Sequence, residues 1–131
     1  MENSTHRPLQ MKSFRFGIET YSVCSDIMKL KNEWILTRQL IRSATAVGAL
    51  CAESEHAQSK LDFISKRAIA RKECNESKYW IALMREVGLL EHATARKLES
   101  QAEELMKLLT AGIKTAQRNL EASSKRKISP M

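Results

Sequence analysis

The chain has 131 residues, four Gly, two Pro and 5% aromatic residues, with a formal charge of +7. That length suits one domain with a single core, and the scarcity of breakers beside abundant Ala, Leu, Lys, Glu and Arg argues for an all-α domain. The opening MENSTHRPLQ has no apolar segment of a signal peptide, and the longest oily stretch, SATAVGALCA, is about half a membrane span, so secretion and membrane insertion are not expected. Three cysteines without a C-x-x-C pair fit a reducing compartment, and the expected location is cytoplasmic.

Residues 1–12 read as a flexible N-terminal tail and 13–122 as the domain. The first helix is expected from Ser13 to Lys31, with Phe14, Gly17, Ile18, Tyr21, Cys24, Ile27 and Met28 recurring at three- and four-residue steps as its buried stripe. KLKNE reverses the chain. The second helix spans Glu33 to Glu55 and buries Leu36, Leu40, Ala44, Val47 and Cys51. Its SATAVGA stretch is almost all small residues, which lets a neighbouring backbone approach closely.

Ser59 followed by Asp62 reads as a capping box opening a third helix, which runs from Lys60 to Val87 and closes at Gly88. Thr94 is the expected cap of a fourth helix, carried by Leu98, Ala102, Leu105, Leu109, Gly112, Ala116 and Leu120 to about Ala122. SSKRKISPM, residues 123–131, has no apolar period and reads as a disordered basic tail. Four helices with short connections predict an up-down-up-down antiparallel four-helix bundle, with a three-helix bundle as the competitor.

The third helix has no single oily face. At about 100° per residue, Lys60, Arg67, Arg71, Lys78 and Arg85 fall on one line, with apolar groups on both flanks and again on the far side. An interface with a second chain explains such a helix, alongside the plainer reading of a poorly packed wet surface. Glu73 and Glu76 are then ion-paired or hydrogen-bonded among apolar neighbours, since lone buried carboxylates are costly.

From FRFGIETYSVC through TRQLIRSATAVGALCAESE to SKLDFISKRAIARKECNESKYWIALMREVGLLE, roughly residues 14 to 113, the chain resembles bacterial four-helix-bundle proteins of the 23S rRNA intervening-sequence type, sometimes labelled S23 ribosomal protein. Gln39, Arg42, Ala44 and Val47 match the family's second-helix block and Glu53 the acidic residue closing it. Asp62 with Phe63 matches the pair opening the third helix, Glu76 the carboxylate in its middle, and Gly88 with Leu89 the closing turn. Leu50 and Ser54 depart from the Asn and Gly often found there. The resemblance implies a homopentamer and no enzymatic activity. It also implies kinship with the accessory variability protein of diversity-generating retroelements, a basic pentamer that engages nucleic acid and a reverse transcriptase.

Residues 59–88 hold seven basic and four acidic groups, and 123–131 three basic and none acidic, so the surplus charge points to an anionic partner. Lys60, Arg67, Arg71, Lys78 and Arg85 span about 37 Å and form a candidate phosphate track, joined by Lys125, Arg126 and Lys127. The plain readings are a solvated face or ion pairs. Arg42, Glu53, Asp62, Phe63, Glu73, Glu76 and Trp80 are candidate oligomer or buried polar contacts.

Cys24, Cys51 and Cys74 sit in apolar stripes, and His6, His56 and His92 form no ligand pair, so neither a metal nor a cofactor is expected. The expected function is a non-enzymatic oligomeric RNA-binding or ribonucleoprotein accessory scaffold. Its partners are copies of itself, RNA or DNA, and a nucleic-acid-processing protein. The alternative is a protein–protein interaction scaffold that binds no nucleic acid.

Overall fold

The computed structural model describes residues 6–128, with side chains from 8 to 126; the expectations for residues 1–5 and 129–131 lie outside that range. Four helices follow one another: α1 (His6–Lys31), α2 (Ile35–Ser54), α3 (Lys60–Glu86) and α4 (His92–Ile128). They form a four-helix bundle. Each helix packs on the next, and α1 closes the ring of neighbours against α4. The core between them is built on Leu9, Phe16, Leu40, Val47, Ile81, Met84, Leu98, Leu105 and Leu109.

Helix ends follow local chemistry. The Glu33 carboxylate accepts backbone N–H groups of Ile35, Leu36 and Thr37 at 3.0–3.1 Å, filling donors that the first turn of α2 leaves open. Ser59 caps α3 by accepting the Asp62 N–H at 3.0 Å, while the Asp62 carboxylate accepts the N–H of Gln58, one residue before the reciprocal partner of a standard box. Gly88, at φ +83°, ends the α3 turn in the left-handed region, and the Leu89 N–H returns to Met84 O at 2.9 Å.

Three boundaries differ from the sequence reading. α1 starts at His6, because Leu9 is fully buried and draws much of the supposed N-terminal tail into the bundle. α4 starts at His92 rather than behind a Thr94 cap. It also runs on to Ile128, so Lys125, Arg126 and Lys127 lie on a helix instead of in a disordered tail.

The buried stripe of α1 holds Cys24 and Ile27 as expected but differs in its first half. Leu9, Ser13, Phe16, Thr20, Cys24 and Ile27 face the core, whereas Phe14, Ile18 and Tyr21 are exposed by 70%, 54% and 56%. Both sets satisfy helical spacing. Ser13 and Thr20 make the inward set look polar, and Ser13 earns its place through contact. A Cβ on Gly48 would meet the Ser13 carbonyl oxygen at 3.3 Å, so a glycine on α2 and a small residue on α1 let the two backbones close up.

Candidate nucleic-acid interface and assembly surface

Apart from Lys60, the basic line of α3 is turned toward α2 and α4 rather than left open to solvent. Arg67 is fully buried: its Nε donates to Ser54 Oγ at 2.7 Å, its Nη2 pairs with Glu55 at 2.9 Å, and its guanidinium lies 4.4 Å over the Phe63 ring. Arg71 reaches Thr110 Oγ1 at 3.4 Å. Lys78 pairs with Glu103, and Arg85 holds Glu99 through both carboxylate oxygens at 2.8 and 2.9 Å. Lys78 accordingly keeps the Glu103 carboxyl below its usual range. Of the five, only Lys60 is exposed. The spacing is as the sequence indicates, but four of these groups are committed to helix–helix contacts, so this line is not an open phosphate track.

The polar centre of α3 is explained by the same cross-links. Arg42 of α2 bridges Glu73, at 3.2 Å, and Glu76, both from its own chain. The Trp80 indole N–H donates to Glu76 at 3.0 Å, and together with Arg42 holds that carboxyl below the ordinary glutamate range. Deeper in, the Ser77 and Ser43 hydroxyls meet at 2.9 Å, and Cys74 Sγ donates to the Ala102 carbonyl at 3.4 Å. Asp62 is spent on the cap and on Lys66, Phe63 lies under Arg67, and Glu53 is exposed at the end of α2.

Cys24, Cys51 and Cys74 are buried free thiols, and burial pushes Cys24 and Cys74 up to about 12, the reverse of what a thiolate ligand needs. Among the described residues no three His, Cys, Asp or Glu side chains gather as a metal site requires. His56 and His92 are exposed, and the His6 side chain lies outside the described range.

Two surfaces become visible, one unforeseen and one read only in part, since Lys125, Arg126 and Lys127 are already candidate contacts. The first is an apolar groove of about 540 Å³ between α1 and α2. Gly17, Thr45, Gly48, Ala49 and Ala52 line it together with Phe14, Ile18 and Tyr21. On α3, Leu61, Ile69 and Tyr79 also face solvent, spaced singly along the helix. The signal for the groove was the second oily stripe of α1, which the wheel assigned to the core.

The second surface is the distal part of α4. Among the described side chains Ile113 is its last buried residue, and the helix continues for fifteen residues, about 22 Å, to Ile128. Residues 114–128 hold five basic groups and one acidic, although residues 89–122 balance at five and five. The sequence reading ends this helix near Ala122 and so counts Lys125, Arg126 and Lys127 apart from Lys114 and Arg118, while Glu99, Glu103 and Glu104 in its first half offset the rest.

Among the described residues no helix is long and apolar enough to cross a membrane. No curated protein matches the chain. One solved structure superposes with a TM-score of 0.83 at 31% identity, covering 84% of this chain and 98% of the other. It is a protein of unknown function from the S23 ribosomal protein family of Bacteroides thetaiotaomicron. The family model described as 23S rRNA-intervening sequence protein matches residues 8–111. With the four-helix bundle and a match over most of its length, this chain belongs to the family of 23S rRNA-intervening sequence proteins.

Proposed function

We propose that this protein is a non-enzymatic cytoplasmic scaffold, an up-down-up-down antiparallel bundle that assembles with copies of itself into a pentamer and serves as an accessory to nucleic acid, RNA foremost. The observation that carries the reading is the exposed apolar α1/α2 groove, joined by the solvent-facing Leu61, Ile69 and Tyr79 of α3. Contiguous apolar surface such as the groove marks an interaction site rather than ordinary exposure. The groove and the apolar side chains of α3 are unlike surfaces, and α3 packs against α2 and α4 while α1 packs against α2 and α4. Contact between unlike patches is head-to-tail, the kind that closes into rings. The opposed running of α3 and α4 is supported by Arg67 meeting Gly112 while Arg85 meets Glu99.

The nucleic-acid part of the reading draws on the +7 charge and the family's link to ribosomal RNA insertions. The internal pairing of the α3 cations favours a second reading, a protein–protein scaffold that binds no nucleic acid.

Light scattering tests the assembly. A mass several times 14.9 kDa is expected, falling to that of one chain when Phe14→Lys and Ile18→Lys place two cations in the groove. A wild-type monomer at micromolar concentration sinks the scaffold.

A further inference from the structure

The surplus charge of α4 is ordered. At about 100° per residue, Lys107, Lys114, Arg118 and Lys125 fall within about 20° of one line, and the buried Leu98, Leu105 and Leu109 occupy the opposite side of the helix. All four cations are exposed. None forms an ion pair among the described residues, although Lys107, after Lys78, helps lower the Glu103 carboxyl. The line is about 27 Å long, which along a duplex axis corresponds to roughly eight phosphates of one strand.

We infer that this outer face of α4 is the surface that contacts the phosphodiester backbone of nucleic acid, an inference that rests on the nucleic-acid reading above. The neighbours decide the class of partner. Ala111 lies beside the line, Glu103 and Glu121 lie about 40° to its other side, and half-buried Met106 shares a shallow depression with Lys107 and Lys114, so the line has no aromatic anchor of the sort that dominates protein interfaces. A phosphate backbone needs none: fixed cations displace condensed counterions, and binding is independent of sequence. A membrane surface fits less well. Interfacial helices insert an apolar face, and along Leu98–Ile113 that face of α4 is already turned into the bundle. Four cations per chain predict a log–log salt slope near −3.6 for duplex DNA and near −2.8 for a single strand, multiplied by the chains engaged.

The test uses the full-length protein with three fluorescent probes, a single-stranded RNA, an RNA duplex and a DNA duplex, each titrated across a salt series. The variant is Lys114→Glu with Arg118→Glu. The control, Lys29→Glu with Lys72→Glu, makes the same change in net charge at exposed sites on α1 and α3. All forms are checked for unchanged mass and melting. The expected result is at least a tenfold loss of affinity and a slope shallower by about 2 for the α4 variant, with less than a threefold loss for the control. The best-bound probe identifies the kind of nucleic acid. Equal losses in both variants, or full binding by the α4 variant, overturn the inference while leaving the nucleic-acid reading intact. If the wild-type protein binds no probe at low salt, both fall. Binding only to anionic phosphatidylserine vesicles also overturns both and assigns the charge to a lipid surface.

Discussion

A Cβ built on Gly112 meets Nη1 of Arg67 at 3.1 Å, so the α4 glycine makes room for a guanidinium buried from α3. Nη1 itself has no hydrogen-bond partner, while Nε and Nη2 are held by Ser54 and Glu55 and the plane rests on Phe63. Burial lowers the Arg67 pKa, but a guanidinium remains charged at any physiological pH. The arrangement fixes how α2, α3 and α4 meet more than it adds stability, because desolvating a cation offsets much of its ion-pair gain. Arg67→Met is therefore expected to stay within about 1 kcal/mol of the wild type, or above it, whereas Arg67→Ala loses about 2–4 kcal/mol through its cavity. Gly112→Ala costs about 1 kcal/mol in the wild type because the pinned guanidinium cannot retreat. In the Arg67→Met background it turns stabilising, as helix propensity alone predicts. Urea midpoints at constant m-value read the cycle. A Met variant as unstable as the Ala variant contradicts this account.

At Gly88 the constraint is purely backbone. Its φ is +83°, and a Cβ there meets nothing within 4 Å. Gly88→Ala should cost about 1 kcal/mol or slightly more, and Gly88→Asn clearly less, since Asn tolerates the left-handed region. Equal costs for Ala and Asn point instead to the turn's hydrogen bonds through Leu89.

How much of this was legible in the sequence depended on whether a signal was local. The α3 cap at Ser59 and its end at Gly88 rest on chemistry within a few residues, and both stand where the residues indicated. The first half of the α1 stripe failed for a non-local reason, although Cys24 and Ile27 are buried as expected: Phe14 and Phe16 both lie on helical repeats, and only the position of α2 tells which one faces the core. The α3 cations illustrate the same limit. Their shared line was correct, but Glu99 and Glu103, which hold Arg85 and Lys78, come from α4. The basic face of α4 was read only in part, because the helix was ended near Ala122 and its last three cations were assigned to a disordered tail. The groove required knowing that Gly17 and Gly48 face each other's helix.

Acid should loosen the α2/α3 contact. Glu76 has a folded-state pKa held down by the Trp80 N–H and Arg42, so its contribution is present above the unfolded glutamate pKa and is lost as pH falls through the folded value. Stability should fall as pH drops below about 4.3, the ordinary glutamate value. Glu76→Gln should flatten that part of the pH profile while lowering stability at neutral pH. Trp80→Phe, which removes only the indole donor, should flatten it partially. An unchanged acid limb in Glu76→Gln means that other depressed carboxyls, such as Glu19 beside Lys97, set it.

Phe14 and Phe16, two residues apart on α1, separate folding from assembly. Phe16 is fully buried, so Phe16→Ala should cost about 3–5 kcal/mol at any protein concentration. Phe14 is 70% exposed beside the groove, so within one chain its truncation removes little packing and should cost under about 0.5 kcal/mol. If copies meet at the groove, wild-type stability rises with protein concentration by mass action, and Phe14→Ala should weaken that dependence without changing the dilute limit. Unfolding curves collected over a hundredfold range of concentration distinguish the two residues. A Phe14→Ala loss that is large and independent of concentration returns Phe14 to the core of a single bundle and removes the groove from the assembly.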